Sequence, residues 1–565
     1  MFNYKLRINN RQDTLFSVVD AYSLKDLPTP IGLDPNKYKM FNQDIFTFKD
    51  NNVNILHSSA RCMKVIPGVL VLEKNQTFGK IKQKYLYKCI PDDRRLPIFL
   101  VLFKIKLEFN KNLKNKYIVF QFKSWEGKHP IGTITQTIGD VDKLDTFYEY
   151  QLYCKSLYAS IQNINKKVMR SLKQKTSDEY IEFILKQHDL KDYRNNRNIF
   201  SIDPVNSKDF DDAFDIEKIG AGFRISVYIS NVSFWMDAMD LWDSFSNRIS
   251  TIYLPDRKRP MLPTILSDAL CSLSQEDIRF SLELSIIIED GVIKDYTFNN
   301  CVIKVTKNFV YDTKEQEKYK DYKILFNEIV NMNKKNKYMD SIDTSHDVVA
   351  YLMITMNYIT AKKLIEFKSG IFRSAKMNKK FNPPSNMPKK VKKFLKHWNS
   401  SGGKYSKNHD DHDMLELEAY VHITSPIRRL VDLLNIMILQ DKLGLFKMSD
   451  KAKQFYDKWT SDSSVEYINT TMRSIRRVQN DCNLLKKCMD DKTLFTKEHQ
   501  GYIFDKIIRN DSLYQYMVYL PELNMVNRFT SRFDKENLSQ QHFKIFIFID
   551  QISLKRKIRV EIQDS

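Results

Sequence analysis

Cysteine is scarce in this 565-residue chain, with seven in all, at Cys62, Cys89, Cys154, Cys271, Cys301, Cys482 and Cys488, and none in a Cys-x-x-Cys pair. An odd number at so low a density excludes a disulfide framework and a zinc ribbon, and it suits a reducing compartment. Long apolar runs are missing too; none approaches the roughly 18–20 residues that a spanning helix needs, so no membrane partner is expected. The opening Met1-Phe2-Asn3-Tyr4-Lys5-Leu6 has no apolar core of a secretion signal, and Asp13 and Asp20 come early for a mitochondrial presequence. The expectation is an intracellular protein, cytoplasmic first, with nuclear and mitochondrial locations left open. No internal repeat is evident. Acid is short relative to base: Asp+Glu 69 against Lys+Arg 90 leaves a net charge of +21. That excludes an acidic solvating protein and favours a polyanionic partner, with a general solubility charge or a Lys/Asn-rich codon bias as the plain alternative.

What is present is the composition of a folded chain, 42% hydrophobic and 12% aromatic. At about 150 residues per domain the length calls for three to four domains. Residues 1–60 are hard to read; a degenerate OB fold is one option. From Val65 to about Leu152 short β runs (Val69–Leu72, Phe99–Phe103, Tyr117–Phe120) are divided by Pro, Gly and Asp-Asp, which suits a small β-barrel over 61–155. Residues 156–495 mix helices and strands. The alternation of Phe223, Ile225, Val227 and Ile229, and of Leu282, Leu284, Ile286 and Ile288, predicts half-buried strands. Val348–Phe367, Val431–Leu443 and much of 450–492 read as helices. Over 496–565 the period returns to two, at Ile545, Ile547 and Ile549 and at Ile558, Val560 and Ile562, which predicts a second small barrel. The fold class expected is multidomain α+β: an N-terminal OB-type barrel, a central mixed α/β domain and a C-terminal OB-like barrel.

Charge is concentrated in residues 361–410, which hold 14 Lys/Arg and 2 Asp/Glu, a net of +12. The stretch, with Lys389, Lys390, Lys392 and Lys393 at its centre, is either a solvated face or a wall that tracks phosphates. Acid is concentrated in Ile202-Asp203-Pro204-Val205-Asn206-Ser207-Lys208-Asp209-Phe210-Asp211-Asp212, four aspartates within ten residues. Like charges so close are tolerated when fully solvated, as in an acidic surface loop, or around a cation. Hard oxygen donors suit Mg²⁺ or Mn²⁺, and two such ions about 3.5–4 Å apart activate water and stabilise a leaving oxygen in phosphodiester cleavage. The spacing is not that of a calcium-binding EF-hand loop. Far downstream, Thr424-Ser425-Pro426-Ile427-Arg428-Arg429-Leu430-Val431-Asp432 reads as a helix start, with Thr424 or Ser425 as cap and Pro426 first. Arg428 would then lie in the first turn, placed to hold a phosphate. The alternative is a surface pair between Arg428 and Asp432.

Together these motifs resemble the RNase II/RNB family of 3′→5′ exoribonucleases. The Ile-Asp-Pro…Lys-Asp-Phe-Asp-Asp-Ala stretch matches its catalytic motif at all four acids, and Thr-Ser-Pro-Ile-Arg-Arg matches its second signature. Tyr253-Leu254-Pro255, Pro260-Met261-Leu262-Pro263, Leu266-Ser267 and Leu270-Cys271-Ser272-Leu273 form a third block between them. Pro91-Asp92-Asp93-Arg94-Arg95-Leu96-Pro97, Trp125, Pro130-Ile131-Gly132 and Gly139-Asp140 resemble the cold-shock barrel of the eukaryotic exosome-associated subgroup. So does Pro383-Pro384-Ser385-Asn386 after Phe372-Arg373. Residues 1–60 are too short for a PIN nuclease domain. The sequence departs from the family at Tyr228, Asn231 and Phe234, where histidines and an acid are usual, and at Leu430, where an aromatic is usual.

The resemblance implies Mg²⁺-dependent hydrolysis of single-stranded RNA from the 3′ end to nucleoside 5′-monophosphates, with two ions and with Mn²⁺ as a substitute. Asp203, Asp209, Asp211 and Asp212 would bind metal, Asp211 being the most sensitive catalytic position. Arg428 would stabilise charge on the scissile phosphate. Tyr253 would stack on the terminal base, and Phe372 would be a weaker stacking candidate; a core role is the alternative for both. The lysines of 361–410 would flank the RNA. A monomeric catalytic unit is expected, alone or in a larger RNA-processing assembly. The departures keep a second reading open, that of a catalytically weakened RNB-fold protein that binds RNA or docks on an assembly.

Overall fold

The computed structural model describes residues 3–11, 15–73, 76–105, 113–377, 383–400, 402–509, 511–550 and 554–563. The chain forms two compact units, one comprising Met1–Tyr158, Leu254–Asp256 and Arg477–Ser565, the other Ala159–Tyr253 and Arg257–Arg476.

Among the described residues the first unit holds three β-sheets. The N-terminal one has five strands in the order Asp26–Leu27, Phe16–Asp20, Tyr4–Ile8, Ile45–Lys49, Asn52–His57. Leu6, Ile8, Val18, Met40 and Phe46 fill its core. Its strands escape a sequence reading because several turns run through non-glycine residues with left-handed backbone, Leu24, Lys39, Asp50 and Asn51, so the usual glycine punctuation is missing. In the second sheet Ile66–Leu70 pairs with both Lys116–Ser124 and Lys84–Pro91, which closes the strands into a barrel. Gly132 is required there: a Cβ at that position would sit 2.7 Å from the Phe120 ring. The C-terminal sheet orders Met525–Ser531, Tyr514–Leu520, His499–Ile508, Gln540–Ile549 and Arg556–Ile562.

The second unit is built on a mixed sheet in the order Lys191–Asp192, Val292–Val310, Ile199–Asp203, Asp212–Ile219, Gly222–Ser230, Ile278–Glu289. The long strand Val292–Val310 pairs with Ile199–Asp203 in parallel and with Ile278–Glu289 antiparallel. The two alternating runs seen in the sequence are neighbours here, with Val227 opposite Leu284 and Ile225 opposite Ile286. The helix Leu430–Lys442 is apolar on nearly every side and is buried from Leu430 to Gln440. At about 1.5–3 kcal/mol for each large side chain removed from water, this one helix contributes heavily to holding the unit together. The helix Ser345–Glu366 is long and apolar enough to cross a membrane by length and composition alone, contrary to the sequence reading. Val348, Tyr351, Leu352, Met356, Ile359 and Leu364 on it are buried in the core with the sheet residues Leu282, Leu284 and Ile286, as in a core helix.

Candidate active site

The strands Ile199–Asp203 and Asp212–Ile219 are adjacent and antiparallel, so the acidic segment between them is a loop that joins two central strands at their ends. The loop turns at Pro204–Ser207, where Ser207 N–H donates to Pro204 O at 3.1 Å. Asn206 takes the third position with φ 68°, the left-handed conformation that asparagine tolerates. Beyond the turn, the third sequence block anchors the loop. Phe210 N–H donates to Ser272 Oγ at 3.0 Å, Ser272 Oγ–H donates to Lys208 O at 2.7 Å, and Leu273 N–H donates to Phe210 O at 2.9 Å. Phe210 packs against Ile199, Ala213, Tyr228 and Leu273, so the aromatic between the acids is the peg that fixes their directions.

All four motif aspartates line one cleft of about 640 Å³, together with Tyr253, Lys258, Asp268 and Arg428. Asp211 is 3% exposed. Its Oδ1 accepts Ile427 N–H at 3.0 Å and its Oδ2 accepts Arg428 Nε–H at 2.9 Å. Asp209 is held at both oxygens as well, by Lys258 Nζ at 2.9 Å and by the Tyr253 hydroxyl at 3.1 Å. Asp203 Oδ2 accepts the Ser201 hydroxyl at 2.8 Å. Asp212 accepts no side-chain hydrogen bond among the described residues. Burial pushes the Asp203 carboxyl up to about 7, against the Ser201 hydrogen bond, and the charges of Asp211 and Asp209 add to the rise. Burial likewise raises Asp211 to about 6, with Arg428 opposing. Asp212 lies well above the ordinary carboxylate range, from burial first and then from Asp203 and Asp211.

Arg428 reaches the cleft by a route other than the helix start expected for it. The helix begins at Leu430, and residues 426–428 form a turn before it. Long-range backbone pairing holds that turn: Thr251 N–H donates to Arg428 O at 2.9 Å, Leu430 N–H donates to Ile249 O at 2.9 Å, and Ser250 bridges Arg429. The buried Asp432, in the first helical turn, pairs with Arg429 at 2.6 and 2.9 Å rather than with Arg428. It also accepts Ser425 N–H at 2.8 Å, which locks the Thr-Ser-Pro-Ile-Arg-Arg segment. Arg428 Nη2 donates to Ser425 Oγ at 2.9 Å.

Tyr253 is 39% exposed at the cleft wall, so a ring face is available there. Phe372 is a correction to the sequence reading. It is 3% exposed, on a short strand paired with Lys404–Ser406 and bridged to Val421, and it belongs to the core. Burial removes the face that stacking needs. Lys389, Lys390, Lys392 and Lys393 sit on the helix Lys389–Trp398, whose Val391 and Leu395 point inward; the lysines do not line the cleft. Sequence reasoning missed Lys258, Asp268 and Ser201. Lys258 lay in view within Asp256-Arg257-Lys258-Arg259, but its partners are 49 and 10 positions away. The departures Tyr228, Asn231 and Phe234 are all internal. The Tyr228 hydroxyl donates to Asp215, Asn231 Nδ2 to Asn300 and Gln440, and Phe234 packs among His188, Phe280 and Phe446.

Among the described residues no three acid, imidazole or thiol groups form an assembled metal cage. The donor set nonetheless fits a hard divalent cation. Every acid in the cleft offers carboxylate oxygen, Asp203 and Asp212 repel one another, and Mg²⁺ characteristically takes one or two carboxylates and completes its shell with water and substrate phosphate.

The fold and the cleft define a class: multidomain α+β proteins with OB-type barrels and a central domain whose sheet carries, at the ends of its middle strands, a cleft of aspartates closed by an arginine. Comparison with known proteins shows which domains the chain resembles. The RNB domain matches residues 188–317 and 314–444, and the Dis3-like cold-shock domain 2 (CSD2) matches residues 86–150. The chain thus carries a segment that matches the RNB domain and one that matches the Dis3-like CSD2. Ribonuclease R 2 of Lactococcus lactis subsp. lactis (strain IL1403) is 35% identical over 127 residues, which cover 22% of this chain and only 19% of that relative. Among solved structures, Mycoplasma genitalium RNase R in complex with ribose-methylated single-stranded RNA superposes with a TM-score of 0.68 at 17% identity, covering 99% of this chain and all of that one. Yeast Ssd1, described as a pseudonuclease, superposes with a TM-score of 0.58 at 13% identity, covering 96% of this chain and 80% of Ssd1.

Proposed function

We propose that this protein is a divalent-metal-dependent exoribonuclease that hydrolyses single-stranded RNA from the 3′ end and releases nucleoside 5′-monophosphates. The observation that carries the proposal is the convergence of Asp203, Asp209, Asp211, Asp212, Tyr253 and Arg428 on one cleft, with Asp211 and Arg428 in contact across 217 positions. Mg²⁺, or Mn²⁺ in its place, would be held by Asp203 and Asp212 with Asp211 beside them, and it would supply Lewis-acid stabilisation of the phosphate and a nucleophilic water. Arg428 offers its guanidinium to the non-bridging oxygens as charge builds there, and Asp211 fixes its direction. Asp211, the acid that holds the guanidinium, would orient the attacking water. Tyr253 stacks the terminal base, an interaction worth about 1–3 kcal/mol and tolerant of sequence. The lysine helix 389–398 gives the strand a phosphate-attracting flank.

A second reading keeps the RNA and drops the chemistry. It is favoured by the likeness to the pseudonuclease Ssd1, and by the fact that Asp209 and Asp211 already have both oxygens bonded within the protein. Decay of a 3′-extended, 5′-labelled single strand in Mg²⁺ separates the two readings. The proposal expects a ladder ending in short products for the native chain. It expects none for Asp211→Asn, whose RNA affinity stays within a few-fold. An intact strand after prolonged incubation with native protein and Mg²⁺ or Mn²⁺ would establish the binding reading instead.

A further inference from the structure

Tyr253 and Lys258 stand directly opposite one another in a ribbon of two two-residue strands, Ile252–Tyr253 and Lys258–Arg259. Cross-strand partners project to the same side of a ribbon, and here both reach the same carboxylate. The Tyr253 hydroxyl takes Asp209 Oδ2 at 3.1 Å, and Lys258 Nζ takes Asp209 Oδ1 at 2.9 Å. The same ammonium lies 2.9 Å from Asp268 Oδ1. Asp268 is carried on the wide π-helical turn Ile265–Leu270. An ammonium that bridges two acids in this way does what a divalent ion does between two carboxylates: it supplies a compact positive charge and fixes both groups.

We propose that Lys258 is a built-in cation that holds Asp209 and Asp268 in place of a second divalent ion, so that the cleft takes one such ion where the number of motif aspartates alone suggests two. The inference rests on the metal assignment of the preceding section and adds to it a positioning residue. Charge supports it. With every acid ionised, as around a bound cation, the four motif aspartates and Asp268 bring five negative charges to the cleft; Lys208, Lys258 and Arg428 bring three positive ones. Five minus three leaves two, which a single divalent ion balances. The distribution of partners agrees. Lys258 serves Asp209 and Asp268, and Arg428 serves Asp211. That leaves Asp203 and Asp212 as the acids with no cation within ion-pairing distance among the described residues. A second ion on the Asp209 side would have to displace an ammonium fixed by two carboxylates.

The test counts ions in the full chain. Mn²⁺ binding, followed by electron paramagnetic resonance and equilibrium dialysis without RNA, should give one site in the native protein, one in Lys258→Arg, and two in Lys258→Met. The Mg²⁺ dependence of RNA decay should be hyperbolic for the native protein. For Lys258→Met it should turn sigmoidal, with half-saturation shifted roughly 10-fold higher. Two sites in the native protein, or a single site in a folded Lys258→Met, would overturn the role of Lys258 while leaving the metal assignment standing. No bound Mn²⁺ in the native protein would overturn the metal assignment and this inference with it. Should Lys258→Met lose its cooperative melting transition, the native count and Lys258→Arg decide: one site in both supports the role, and two in either overturns it.

Discussion

Arg428 Nε lies 2.9 Å from Asp211 Oδ2, across 217 positions of sequence. The ion pair ties the second signature to the acidic motif, and it makes each residue the other's support. Asp211 is the most enclosed acid of the cleft, whereas the Arg428 side chain is 44% exposed on its outer side. The arginine therefore faces a carboxylate behind it and the open cleft in front.

From this arrangement Arg428→Ala should lower single-turnover RNA decay by about 10²–10³-fold, with a smaller change in affinity, because the charge it meets is greatest at the transition state. It should also destabilise the fold, by leaving Asp211 buried without its cation. The double variant Arg428→Ala/Asp211→Asn should recover stability and remain inactive. Recovery of turnover in the double variant would mean that the arginine serves only to neutralise Asp211.

Tyr253→Ala should change end-product length and strand affinity, within the roughly 5- to 150-fold range that 1–3 kcal/mol of stacking allows. Tyr253→Phe separates the ring from the hydroxyl. It keeps the stack, loses the bond to Asp209, and should leave product length native. Native behaviour of Tyr253→Ala in both rate and end product would place the ring outside the RNA path.

Neutralising Lys389, Lys390, Lys392 and Lys393 together should weaken binding to every sequence alike. On a single strand the salt dependence should flatten by about 0.7 log–log units for each phosphate that is no longer neutralised. An unaltered slope would show the helix Lys389–Trp398 to be a solvated face.

Without divalent metal the folded protein should lose stability as pH rises. Asp203 and Asp211 retain protons up to about 7 and about 6, whereas in the unfolded chain they release them near the ordinary value of about 3.9. The folded state therefore binds more protons between those limits. Its advantage is complete at the acid end and lost as pH climbs through 6 and 7. Burial lowers His412 and His422, which act in the opposite sense at acid pH, so the comparison is made against Asp203→Asn. In chelator at pH 8 that variant should melt about 2–4 °C above the native chain, and the gap should close at pH 5 or when Mg²⁺ is added. A gap that ignores pH would refute the assignment of the raised carboxyls.

Much of this site was legible in the sequence because its chemistry is contiguous. Asp203 to Asp212 fall in one loop, and a loop keeps its acids together whatever surrounds it. The strands through Val227 and Leu284 announced themselves by period, since each has one face in a core. Positions whose fate is set by distant partners were not legible. Pro426 suggested a helix start, but the backbone of Ile249–Thr251 holds Arg428 and Arg429 in a turn and an extended bridge until Leu430. Phe372 follows an isoleucine and precedes an arginine, a pattern that does not reveal the strand Lys404–Ser406 that covers it. Lys258 looked like one basic residue among three, and only the ribbon register aims it at Asp209.

The acid-rich cleft lies in a chain whose net charge is +21. Under the proposed function an RNA strand would meet two opposed fields, a broad attraction to the basic chain and a local repulsion at the acids where its scissile phosphate has to go. Capture and entry would then be separable events, ionic strength governing the first and neutralisation of a few buried oxygens the second. On that reading a chelated protein would hold its strand at the threshold, and the supply of divalent ions would set when the end is admitted.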